Sequence, residues 1–83
     1  MTILVHVHDK VVAVCCGSGS QRLEWLGHVG IARYDPINVQ GWMQFGRPVA
    51  VRNAKGAALA MTDIICEVLL DKDHVYIDTS RTP

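Results

Sequence analysis

The chain has no apolar run long enough to cross a membrane, and Met1–Val7 carries neither a basic lead nor a small-residue cleavage site. Those absences argue against direct membrane insertion and against a secretory signal peptide. Neither charge is in excess, since eight Lys and Arg side chains balance eight Asp and Glu. Without a basic surplus there is no electrostatic reason to expect nucleic acid as a partner. Cysteine is scarce and odd in number: Cys15 and Cys16 are adjacent, Cys66 is distant, and no zinc-ligand spacing appears. Three such thiols suit a reducing, cytoplasmic setting in which they are buried as small apolar groups, except that adjacent Cys15 and Cys16 point to opposite faces, so at most one of that pair is expected to be buried. No repeat, linker or low-complexity segment divides the 83 residues, so they are expected to form one domain, 1–83, around a modest core.

Catalytic parts are missing as well. No nucleophile stands with a base and an orienting group, and the serines fall in a turn, so the chain is expected not to be an enzyme and to need no cofactor. Gly17-Ser18-Gly19-Ser20 precedes a helical stretch, where an anion can sit on free N–H groups. It lacks the lysine of a P-loop and the third glycine of a dinucleotide fingerprint. The last residues, Arg81-Thr82-Pro83, offer no flexible di-glycine, so a conjugated modifier of the ubiquitin kind is not expected.

What is present is apolar patterning, in 49% of the residues. Ile3, Val5 and Val7 alternate with Leu4, His6 and His8 as in a half-buried strand. Asp9-Lys10 reads as a hairpin turn and Val11–Cys15 as the return strand. Ser20 is placed to cap a helix carrying Leu23, Leu26, Gly27, Gly30, Ile31 and Tyr34 on one face, stopped by Asp35-Pro36. Its two glycines weaken it by about 1 kcal/mol each against alanine, which makes sense if the helix lies tightly on a sheet. Trp42–Phe45 and Val49–Val51 read as one interrupted strand or two short ones, with a bulge or edge at Gly46-Arg47-Pro48. Asn53–Gly56 is a turn. Thr62 is placed to cap a short helix through Ile64, Ile65 and Val68, with Asp63 at its positive end. Asp71-Lys72-Asp73 is a turn, His74–Ile77 a last strand, and the tail from Thr79 is expected to fray. The order strand, strand, helix, strand, short helix, strand predicts an α+β fold, a mixed sheet with one main helix across a face: the ubiquitin-like β-grasp roll.

The zero net charge hides a split. Residues 1–55 hold six basic side chains (Lys10, Arg22, Arg33, Arg47, Arg52, Lys55) against three acidic ones; residues 56–83 hold two basic against five acidic. If the split survives folding as two faces, copies can dock front to back in a heterologous contact. Its plain alternative is charge that scatters over the surface. The densest candidate site is Asp63, Glu67, Asp71 and Asp73, four carboxylates on a short helix and the turn after it. These read either as a solvated rim or as a dock for basic residues. His6 and His8, two apart on a strand, share a face as two metal ligands would, but a third ligand needs the fold to bring over His28 or His74. A solvated strand face is the favoured reading, and no metal is expected.

A family resemblance enters on Val12, Val14, Cys16-Gly17 and Gly19; on Leu26, Arg33-Tyr34 and Trp42; and on Gly56, Leu59, Asp63-Ile64, Cys66, Val68 and Asp71-Lys72-Asp73. In these the chain resembles the N-terminal oligomerisation domain of the partitioning-defective (Par) PDZ scaffolds of cell polarity. Val5-His6-Val7 and Trp25-Leu26-Gly27 with Arg33-Tyr34 are also similar to the N-terminal segment of animal histidine ammonia-lyases, whose active site lies in another domain. The first resemblance implies a ubiquitin-like domain that self-associates front to back and clusters a polarity complex at the cytoplasmic cortex or cell junctions. Its partner would be itself or a related ubiquitin-like domain. Carried over, Asp71 and Asp73, with Asp63 and Glu67 nearby, form the acidic face, and Lys10 and Arg33 the basic one. The chain departs from the family pattern at Asp9, where a basic residue is usual, at Ala60, Thr62 and Leu70, where acidic ones are, and at Asp35-Pro36, which replaces basic helix-end positions. These departures weaken the charge match. Leu69-Leu70, if exposed, supplies an apolar contact at the same edge. The alternative expectation is a monomeric docking or regulatory domain whose polymerising faces have been lost.

Overall fold

The alternation at the N-terminus becomes strand β1 (Thr2–Val7), in which Ile3, Val5 and Val7 are fully buried. The computed structural model describes residues 1–81, so the tail positions 82 and 83 lie outside the described residues. A two-residue loop at His8 and Asp9, one position earlier than expected, returns the chain into β2 (Lys10–Cys15), with Val7 opposite Lys10 and Thr2 opposite Cys15. His8 makes the tight reversal with φ 55°. Among the described residues β1, β2, β3 (Pro48–Asn53), β4 (Ala58–Leu59) and β5 (His74–Thr79) form one mixed sheet ordered β2-β1-β5-β3-β4. β1 and β5 run parallel in its centre, and the other neighbours are antiparallel. The expected α+β class is observed. The β3–β5 ladder has its irregularity between Pro48 and Ala50, just after the expected bulge. β4 is too short to show in the sequence.

Helix α1 (Leu23–Arg33) lies across one face, burying Leu23, Leu26 and Ile31 against Ile3, Val5, Val7, Val14 and Val51. Its glycines are the contact points. A Cβ on Gly30 would come within 2.6 Å of Val5 Cγ1, and one on Gly27 within 2.6 Å of Pro48 Cβ. The helix therefore sits closer to the sheet than any other residue there would allow.

Three expected caps and ends differ from the structure. Arg22, not Ser20, is the N-cap of α1, because a distant segment satisfies the first N–H groups: Leu23 donates to the Asp63 carbonyl (2.9 Å) and Glu24 to that of Met61 (3.0 Å). The same crossing makes Ile64, not Thr62, the N-cap of α3 (Ile65–Val68), with Ile65 N–H donating to the Gln21 carbonyl at 2.9 Å. Thr79–Arg81 are not frayed; Ser80 and Arg81 N–H donate to the Arg47 and Phe45 carbonyls.

Trp42–Phe45, expected as a strand, is the single helical turn α2. Gln44 and Phe45 N–H both donate to the Gly41 carbonyl, which drives Phe45 into the core, edge-on to Tyr34 at 4.5 Å between ring centroids. Trp42 and Met43 are left outside.

Candidate interaction surfaces

The pairing register fixes the ends of the molecule. Asp71-Lys72 meets the start of β1: Thr2 N–H donates to Asp71 Oδ1 (2.7 Å) and Lys72 N–H donates to the Thr2 carbonyl (2.6 Å). Lys10 lies at the other end of the β1–β2 hairpin, five residues along, a distance of about 17 Å. Glu67 on α3, the turn carrying Asp71 and Asp73, and the crossing segment with Asp63 thus gather at one end. Lys10, the α1 C-terminus with Arg33 and Tyr34, and α2 gather at the other.

The acidic end is built as much to hold the chain as to show charge. Asp71 accepts from Thr2, Asp73 Oδ2 accepts the Leu70 N–H (2.8 Å), and Asp63 Oδ2 accepts the Ala60 N–H (3.3 Å). The Thr2 N–H holds the Asp71 carboxyl below the usual carboxylate range. Glu67 is exposed. Leu69, expected as an apolar contact if exposed, is a core residue at 5% exposure; Leu70 stands out at 74%.

At the basic end Lys10 Nζ donates to the Tyr34 carbonyl (3.2 Å) and sits 4.5 Å above the Tyr34 ring. The Tyr34 hydroxyl donates to Asp9 Oδ1, which lowers the Asp9 pKa and raises that of the phenol. Arg33 is exposed on the last turn of α1. The wider charge split of the sequence does not become two clean faces. Arg52 forms a two-pronged bond with Asp78 (2.9 and 3.1 Å), and Lys55 lines a shallow groove with Asp73 and His74.

The remaining flagged groups separate. His8 leaves the strand and tilts against Phe45 (5.6 Å), while His6 finds His74 across the parallel β1–β5 ladder, Nε2 to Nδ1 2.7 Å, and stacks on Tyr76. Burial first, then the neighbouring His74, lowers the His6 pKa. Among the described residues no three His, Cys, Asp or Glu side chains converge as a metal would require, and His28 stays exposed on α1. Of the thiols only Cys16 is buried, its pKa raised by desolvation; Cys15 and Cys66 are exposed, against expectation for Cys66. The Gly17–Ser20 turn offers no anion seat, because carbonyls of residues 61 and 63 already occupy the first N–H groups of α1. The sequence left open whether His74 reaches His6 and gave no sign of the exposed apolar run around α2. Only long-range pairing and helical phase reveal them.

No family model and no curated protein matches the chain. No helix among the described residues is long and apolar enough to cross a membrane.

Proposed function

We propose that this chain is a ubiquitin-like β-grasp domain acting as a non-catalytic, front-to-back self-association module of a cytoplasmic polarity scaffold, clustering at the cell cortex or junctions. Sheet order β2-β1-β5-β3-β4 with a central parallel pair and one packed helix supports the β-grasp assignment. The observation that carries the functional reading is placement. Asp71, Asp73 and Glu67 lie at one end of the β1–β2 hairpin and Lys10 and Arg33 at the other. Charges of opposite sign on opposite ends favour a heterologous contact that repeats, whereas charges on one face would favour closure. The partner is a second copy or a related domain with the same two ends.

A second reading, a monomeric domain that docks a different protein, draws support from Asp9. Its carboxylate sits beside Lys10 and dilutes the basic end.

Charge reversal separates the two. Glu67 is the cleaner probe, since Asp71 and Asp73 each hold a backbone N–H and their loss would disturb the turn. Front-to-back assembly predicts that Lys10→Glu and Glu67→Lys each lower the sedimenting mass at a fixed concentration. Unchanged mass in both, with the wild type assembled, would overturn the assignment of these ends.

A further inference from the structure

Each end of the domain carries exposed apolar side chains among its charges. At the acidic end these are Leu70, 74% exposed, and Val68, 40%. The Asp73 carboxylate holds the Leu70 N–H, and the Asp71-Lys72 backbone is tied to Thr2, so Leu70 is displayed on a fixed turn. At the opposite end Ile37 (85%), Trp42 (55%) and Met43 (58%) lie exposed on the stretch from the α1 C-terminus through α2. That surface is also anchored: Gly41 N–H donates to the Ala32 carbonyl (3.2 Å), and Phe45 below it packs on Tyr34, the residue that seats Lys10.

We propose that Leu70 of one copy packs on the Trp42–Met43 surface of the next copy, forming the apolar centre of the front-to-back contact. This inference rests on the reading above and names what covers each end. Both patches cannot cover each other within one molecule, because the hairpin separates them. A second copy fits each: carboxylates flank the apolar group on one side of the contact, and Lys10 and Arg33 stand at the receiving end on the other, where the Asp9 carboxylate is taken up by Tyr34 and that of Asp35 by the Ile37 and Asn38 N–H groups. An apolar centre within a charged rim is the ordinary anatomy of a specific interface, and Trp and Met are suited to receiving an aliphatic side chain. The arrangement also accounts for Leu70 standing beside three carboxylates. Charge orients the copies, and desolvated apolar area slows their separation.

The test uses Leu70→Asp and Trp42→Asp, both at exposed positions, with Met43→Asp as a second variant of the receiving surface should Trp42→Asp fail to fold. Each alone should weaken self-association about tenfold or more by sedimentation velocity, with circular dichroism unchanged. Mixed in equal amounts, they should form a 1:1 dimer and nothing larger, because each variant retains the one end that the other lacks. Leu70→Asp assembling like wild type, while Lys10→Glu and Glu67→Lys dissociate, would overturn the apolar centre and leave the charge-led contact standing. Folded variants that remain monomeric when mixed would overturn the pairing of these two surfaces. Wild type that stays monomeric throughout would overturn both the inference and the reading beneath it.

Discussion

The two ends of this domain hold their charge differently. At the acidic end, carboxylates of Asp63, Asp71 and Asp73 each accept a backbone N–H, so charge and local fold are the same feature. At the other end Lys10 and Asp9 both engage Tyr34, the Asp35 carboxylate accepts the Ile37 and Asn38 N–H groups, and α2 is seated in addition by close packing of Gly41 and Phe45. Both ends therefore use carboxylates to hold the chain, and only the basic end depends as well on the seating of α2. A domain can keep its shape while losing one kind of end, which is how a polymerising module could become a one-sided binder.

The largest effect should come from attacking the seating of the basic end. A Cβ at Gly41 would lie 1.8 Å from the Ile31 carbonyl oxygen, which is backbone and cannot swing aside. Gly41→Ala should lower unfolding free energy by about 3 kcal/mol in urea titration and abolish assembly by displacing α2. An unchanged urea midpoint would show that the two ends are not held by different means.

The acidic end should instead respond to acid. The folded Asp71 pKa is below its unfolded value near 3.8, so its contribution is fully present above about pH 4 and is lost as pH falls through the folded value. Asp71→Asn should lower the melting temperature at pH 7, and the gap from wild type should narrow by pH 3. A gap independent of pH would mean that the carboxylate charge does not hold Thr2.

A third, smaller effect belongs to the face of the sheet opposite α1. The folded His6 pKa is depressed, so neutral His6 contributes stability above about pH 6.5 that is lost as pH falls through the lower folded value. Thermal melts of wild type should show a decline between pH 7 and 5 that His6→Gln flattens. The smallest expected change is in the stability of Glu67→Lys. At an exposed position it should stay within about 0.5 kcal/mol of wild type while altering assembly.

Much of this architecture was legible because period and composition are local. β1 announced itself by alternation, and Gly27 with Gly30 announced the tight approach of α1, since two helix-weakening residues on an apolar face need a packing reason. The caps at Ser20 and Thr62 were misread because residues far apart in sequence cross there, supplying carbonyls that no local pattern reveals. Trp42–Phe45 was misread because four residues are too few to distinguish a period of 2 from one of 3.6; only the burial of Phe45 beneath an exposed Trp42 settles it. The carboxylate cluster was visible as a cluster, yet its bonding to the backbone was not. The partnering of His6 with His74 required the parallel β1–β5 pairing, which joins the two ends of the sequence.

The central question for this domain is whether its two ends meet between copies. Light-scattering mass of the unmodified chain across concentration, at low and at high salt, tests this most directly. Front-to-back docking predicts a mass that climbs above the 9.1 kDa of one chain as concentration rises and falls when salt is added. A mass that stays at one chain at every concentration and salt would contradict it.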